Sequence, residues 1–330
     1  MRIAVVIPLY NGERFIRETI MSVVGQTRQP DELIVVDDGS TDGGAAIVEG
    51  MASEYPIKLL RKKNGGQSSA RNLGVRHCSA THIALLDQDD VWYPRHLEEL
   101  SRPFTRARTG TLGWSYSDLD EIDDNGNMVI RAVLRTLPYH HPKRNVFSCI
   151  GLDMFVLPSA SLIAMEAFDA VGGFDERLSG YEDDDLFVRI FRAGFGNVFI
   201  NRPLTKWRMH EAGASWSRRM AMSRIVYLDK LLEMFPDNED RDRYIARDCL
   251  SSRFLPLVLG EYRKALRRDE SSEIRVAWQH VRKVARLSRP TVRVMAVLAT
   301  PVLGTPVCAK MVAPAVHTLR EFKRWYRRQR

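Results

Sequence analysis

Over its first ninety residues the chain alternates short apolar runs with stretches of helical periodicity. Ile3-Ala4-Val5-Val6-Ile7, Leu33-Ile34-Val35-Val36 and Ile83-Ala84-Leu85-Leu86 are apolar runs bounded by turn residues, and residues 57–61 read as a short strand. Strands buried on both faces read this way. Between them Phe15, Ile16, Ile20, Val23 and Val24 recur at roughly helical spacing, and further helices are predicted over about 42–53 and 67–77. Strand and helix alternating through short loops predict an α/β fold with a mostly parallel sheet covered on both faces. Ligands of such sheets bind beyond the carboxyl ends of the strands. Three polar clusters fall at those ends, Tyr10-Asn11, Asp37-Asp38 and Asp87–Asp90, and are expected to converge on one crevice. From 111 to 135 the pattern is strand-like, turning at Asp124-Asn125-Gly126-Asn127 as a hairpin does. A helix is predicted to open at Glu182-Asp183-Asp184-Asp185, and beyond His210 the pattern is almost wholly helical. The expected division is a catalytic domain over 1–217 and a helical region over 218–330.

The carboxylates change this picture from a scaffold to a site. Three of them in Asp87-Gln88-Asp89-Asp90 follow a buried strand and repel one another. A compensating cation would hold them together, and hard oxygen ligands suit Mg²⁺ or Mn²⁺. Such an ion bridges carboxylate to phosphate. The plainer reading is an acidic turn capping a helix that begins near Pro94. Asp38 can accept from a nucleobase or a ribose, Asp42 is expected to cap the next helix, and Arg71 can pair with a phosphate or with a site carboxylate. Acidic residues suit a helix N-terminus, yet four in a row at 182–185 exceed what capping needs. A carboxylate crowded by others acquires a raised pKa, which favours a base working near neutrality. A neutral His210 can complete a divalent-metal site.

Net charge is +8, with acids concentrated in the first 190 residues and bases in the last third. An acidic site on a basic body fits an enzyme that takes anionic substrates through a metal near an anionic surface. Nucleic acid is a poor partner, because the crevice repels phosphate without metal and no recognition motif is present. Cys78, Cys149, Cys249 and Cys308 are scattered without metal-site spacing, which points to a reducing cytoplasmic setting. Residues 1–8 read as a first strand and not as a leader.

Together these motifs resemble glycosyltransferase family 2. The resemblance rests on Val6-Ile7-Pro8-Leu9-Tyr10-Asn11, Gln26-Thr27, Glu32–Asp42, Asn64–Gly74, Leu86–Asp90, Gly172–Glu176 and Glu182–Leu186, in family order over about residues 3–215. It implies the GT-A nucleotide-sugar fold and inverting, metal-dependent transfer of one sugar from a nucleoside diphosphate, UDP by preference, to a glycan or glycolipid hydroxyl in cell-surface polysaccharide synthesis. It further implies that Pro8, Tyr10 and Asp38 hold the nucleoside, with Arg71, Asp87 and Gln88 also at the donor. Asp89 and His210 would be metal ligands and Asp183 the general base. A nucleotide-sugar-binding protein without catalysis is the competing reading, opposed by intact Asp87, Asp89 and Asp183. Glu321-Phe322-Lys323-Arg324-Trp325 echoes the motif of processive members, but with Glu for Gln and far from its usual place.

Residues 294–309 are uncharged but interrupted by Pro301, Gly304 and Pro306, short of the roughly 20 apolar residues a spanning helix needs. With the basic, aromatic tail 320–330 they are expected to attach the protein peripherally to the cytoplasmic face of a membrane. A soluble extension packed on the catalytic domain is the alternative.

Overall fold

The computed structural model describes residues 1–106, 111–210, 218–268 and 271–303. Nine strands form one sheet: β1 (Ile3–Leu9), β2 (Glu32–Asp37), β3 (Ile57–Arg61), β4 (His82–Leu85), β5 (Val91–Trp92), β6 (Leu112–Ile122), β7 (Met128–Ile130), β8 (Ser161–Ala164) and β9 (Gly196–Arg208). Their order is β3-β2-β1-β4-β8-β6-β9-β5, with β7 paired to β6. The first four are mutually parallel. Beyond them the sheet is mixed, because β8 runs antiparallel to both β4 and β6 while β6 and β9 are parallel. Every residue of β1 is buried, which is why its sequence shows no alternation.

Helices α1 (Ile16–Val24), α2 (Gly44–Ala52), α3 (Gln67–Arg76) and α4 (His96–Arg106) follow strands in the first third. Then come α5 (Val133–Thr136), α6 (Val146–Gly151), α7 (Met165–Ala170) and α8 (Glu182–Arg192). One core cluster joins Ile3, Val5, Ile7 and Leu9 of β1 to Ile16 and Ile20 of α1 and to Leu97 and Leu100 of α4. It fixes the carboxyl ends of β1, β2 and β4 side by side. The Asp124–Asn127 turn joins β6 to β7 in an antiparallel hairpin. Asp42 sits one residue before the cap position Gly43 and accepts from Gly44 N at 3.0 Å.

The last helices are α9 (Arg218–Met234), α10 (Ser251–Arg268), α11 (Ser271–Leu287) and α12 (Pro290–Leu303). The chain divides into two compact units, Met1–Cys149 with Asp153–Arg224, and Ile150–Leu152 with Ile225 onward. The division falls inside α9 because its first turns belong to the sheet unit. Ser179 N donates to Ser223 Oγ at 2.9 Å, and Arg224 Nε to the Tyr181 hydroxyl at 2.8 Å. The helical unit has its own core, including Tyr227, Leu231, Phe254, Tyr262, Trp278 and Val281. Among the described residues no helix is long and apolar enough to cross a membrane. Leu298 on α12 is 73% exposed. Residues 304–309 of the apolar run and the basic tail lie outside the described residues.

Candidate active site

The loop after β4 is gripped from three sides. Ser159 Oγ accepts from Asp87 N at 3.0 Å. The Gln88 amide makes a two-way clamp on the Tyr10 backbone, accepting from Tyr10 N at 2.7 Å and donating to Tyr10 O at 3.1 Å. Buried Arg208, the last residue of β9, donates from Nε to Asp89 O at 2.8 Å, and its backbone N donates to Asp90 Oδ1 at 2.9 Å. Its guanidinium also reaches Glu18 at 2.7 Å and lies over the Phe15 ring. Two residues on, His210 Nε2 stands 2.8 Å from Asp89 Oδ2, its ring tilted against Phe15. The carboxylate and the imidazole expected to share a metal are thus neighbours.

Arg71 joins this loop to the second acidic cluster. It lies on α3, is 1% exposed, and donates from Nη2 to Asp87 Oδ1 and from Nη1 to Glu182 Oε1 at 3.0 Å. Gln67, one turn earlier, also donates to Glu182 Oε1. Burial opposes the charge on Arg71, but the two carboxylates outweigh it and raise its pKa. Of the two roles open to Arg71, pairing with site carboxylates is the one observed.

The acidic helix start is divided by function. Glu182 is held by Arg71, Asp184 Oδ1 accepts from Met154 N at 3.0 Å, and Asp185 pairs with Arg189 at 2.7 Å. Among the described residues, Asp183 Oδ1 receives only the Asp184 backbone N–H, at 2.8 Å. Burial, followed by the charges of Glu182, Asp184 and Asp153, pushes its carboxyl well above the usual carboxylate range. Burial and the Asp87 charge likewise raise Asp89, partly offset by His210. Buried Asp90 is raised as well, by burial and then by Asp89 and Asp87.

On the donor side Pro8 is buried in β1 and Tyr10 beyond it is 46% exposed. Asp38 is 2% exposed and folds a loop: it accepts from Lys62 Nζ, from Gly65 N at 2.9 Å and from Gly66 N at 2.7 Å. Gly66 has φ +89°, which suits glycine, and it turns the chain into α3. Contact between Asp38 and a nucleoside would therefore occur beside Lys62. Arg208, Ser159, Lys62 and Asp153 escaped the sequence reading.

No group of three or more His, Cys, Asp or Glu side chains surrounds a single point among the described residues. One carboxylate beside one imidazole fits a hard divalent ion that takes its other ligands from phosphate oxygens and water, and not an all-protein cage.

The family model Glycosyl transferase family 2 matches residues 4–172, just over half of the chain. The chain belongs to this family. An uncharacterised glycosyltransferase of Rickettsia bellii is 29% identical over 223 residues, covering 64% of this chain and 30% of its own length. The present chain therefore spans under a third of that relative. Among solved structures, Staphylococcus aureus TarS in complex with UDP-GlcNAc aligns with a TM-score of 0.66 at 18% identity, covering 96% of this chain and 92% of its own. Mannosyltransferase PcManGT from Pyrobaculum calidifontis, in complex with GDP-Man and Mn²⁺, aligns with a TM-score of 0.54 at 16% identity, covering 96% and 87%. Both likenesses concern the fold: the mixed sheet is the GT-A arrangement that the family-2 motifs implied.

Proposed function

We propose that this family-2 member transfers a sugar from a nucleoside diphosphate to a hydroxyl of a glycan acceptor, inverting the anomeric centre. The observation that carries the reading is the Arg71 bridge. Through it Asp87, beside the candidate metal ligand Asp89, and Glu182, beside the candidate base Asp183, hold one guanidinium between them. Donor and acceptor chemistry then share one crevice.

Asp183 accepts the proton of the acceptor hydroxyl as its oxygen bonds to the anomeric carbon. The bond from that carbon to the diphosphate breaks, and the nucleoside diphosphate departs from the opposite face. A carboxyl held above the usual range is a stronger base than an ordinary aspartate and accepts this proton more readily. Asp89 and His210 would hold Mg²⁺ or Mn²⁺, which supplies positive charge where the leaving diphosphate becomes more negative. Arg208 and Gln88 keep the loop in place, and Tyr10 offers an exposed ring at the donor side. The nucleotide sugars in TarS and PcManGT, and the Mn²⁺ in PcManGT, support the donor class.

The test is thermal stabilisation by a panel of UDP- and GDP-sugars, each with and without Mn²⁺. A rise that needs both nucleotide and metal, and is lost in Asp89→Asn, is expected. No stabilisation by any sugar nucleotide overturns the reading. Slow Mn²⁺-dependent hydrolysis of the stabilising donor separates an enzyme from a binding protein that lacks catalysis.

A further inference from the structure

The proposed reaction places the acceptor at Asp183 but leaves open what holds the rest of it. Three partly exposed aromatic side chains lead away from that carboxylate. Asp153, whose charge acts on Asp183, accepts from Phe155 N at 2.8 Å. The intervening Met154 N is bonded to Asp184, so this short loop is docked on the first turn of α8. The Phe155 ring lies 6.0 Å from Trp207, which immediately precedes the loop-gripping Arg208. On its other side Phe155 lies 6.0 Å from Tyr139, with the two rings within 22° of parallel. Phe155 thus joins a loop docked on α8 to Trp207 on one side and to Tyr139 on the other.

Tyr139 borders a cavity. Arg135, Tyr139, His140, His141 and Phe199 line a pocket of about 280 Å³. Its floor is aromatic, with His141 4.8 Å from Phe199 and Phe199 5.2 Å from Tyr116. Arg135, Tyr139, His140 and His141 supply its polar groups. His141 Nδ1 is 2.8 Å from the Tyr116 hydroxyl, while His141 Nε2 is buried without a hydrogen-bond partner among the described residues. A buried polar atom with no partner calls for one. Aromatic faces with a few hydrogen-bonding groups suit a molecule with apolar C–H faces and a polar rim. A sugar ring has both.

We propose that Tyr139, Phe155 and Trp207 form a stacking track for the glycan portion of the acceptor, with the cavity at His140 and His141 taking a sugar unit remote from the one that reacts. This rests on the glycosyl-transfer reading, with Asp183 facing the acceptor. The acceptor is then an oligosaccharide of at least three units, and not a lone sugar or a lipid headgroup. The Arg135 guanidinium is engaged by Asn201 and lies 3.6 Å from Asp118, so the pocket favours a neutral glycan.

The experiment uses the full chain and saturation-transfer NMR. The probes are three neutral series, β-1,4-linked N-acetylglucosamine, β-1,4-linked glucose and α-1,4-linked glucose, from monosaccharide to pentasaccharide. At least one series is expected to bind with affinity rising about tenfold up to the trisaccharide. Tyr139→Ala should flatten that rise, and so should His140→Ala, an exposed change that guards against misfolding of the first variant. No binding by any series, binding independent of length, or a length dependence retained in both variants overturns the track. Stabilisation of the wild type by sugar nucleotide and Mn²⁺, measured alongside, reports on the donor reading separately. Its presence without glycan binding rejects the track alone.

Discussion

The two acidic clusters of the sheet unit carry similar charge on different supports. Around Asp87–Asp90, Asp87 faces Arg71, Asp89 faces His210 and Asp90 accepts the Arg208 N–H. At Glu182–Asp185 the supports go to Glu182, Asp184 and Asp185, and among the described residues Asp183 has one backbone N–H and three like charges nearby. In the first cluster each carboxylate has a protein partner, although burial and mutual repulsion still raise Asp89 and Asp90. In the second, burial first and then the charges of its neighbours act on the least supported residue, and together they make Asp183 basic. Stability and function are traded at a single side chain.

Asp183→Asn is the sharpest way to break this contrast. Transfer should fall by about 10²–10⁴-fold, the usual worth of a general base, while nucleotide binding persists. Because the folded protein holds the Asp183 proton more tightly than the unfolded chain, stability is lost as pH rises through the raised pKa. Asparagine removes that loss, so the melting temperature at neutral pH should rise by roughly a few degrees. An unchanged melting temperature with near-normal turnover would reject both the assignment and its electrostatic cause. In the wild type the acid limb of the kcat profile should lie above the ordinary aspartate range, because turnover requires ionised Asp183.

Arg71 ranks next. Removing one partner of a buried pair leaves the others uncompensated, at about 3–5 kcal/mol, and here two carboxylates lose their cation together. Arg71→Ala should lower the chemical-denaturation midpoint strongly, and adding Glu182→Gln should recover part of the loss. Independent, additive effects in that cycle would show that the bridge does not couple the clusters.

Arg71 also marks where sequence reading stops. Its partners lie 16 and 111 residues away, a pairing that no local pattern encodes. The parallel half of the sheet was legible because β1, β2 and β4 are almost wholly apolar and bounded by turns. In the mixed half the β6–β7 hairpin was legible from its strand-like pattern and turn, whereas β5, β8 and β9 were not. β6 buries Ser115, Ser117, Asp118 and Asp120, and β9 carries Asn201-Arg202-Pro203 where its register against β6 shifts. Buried polar residues and a register shift blur the two-residue period, and in β9 nothing in the sequence announced the strand. The site motifs were legible by type, since clustered carboxylates at strand and helix ends are costly without a task. What orients them, Arg208 and Ser159 above all, became visible only once the chain was folded.

His210→Ala probes the Asp87–Asp90 cluster at smaller scale. If Asp89 and His210 share an ion, the Mn²⁺ concentration for half-maximal donor hydrolysis should rise roughly tenfold or more, by analogy with ligand-shell losses, with little change in the melting temperature without metal. An unchanged Mn²⁺ dependence would leave His210 as a neighbour of Asp89 only.

The smallest expected effect tests how the donor loop is held. A Cβ on Gly12 would stand 2.5 Å from Gln88 Oε1 and 2.9 Å from Leu9 Cδ1. The far end of a flexible side chain usually yields cheaply, but this amide is fixed by its two bonds to Tyr10. Gly12→Ala should therefore cost about 1–3 kcal/mol, the range of an overpacked site, and weaken nucleotide binding as Gln88 is pushed off Tyr10. Gln88→Ala removes the obstacle along with the clamp, so the double variant should be no less stable than Gln88→Ala. If Gly12→Ala costs the same with Gln88 present or absent, the strain lies against Leu9. The Gln88 clamp would then play no part in requiring glycine at position 12.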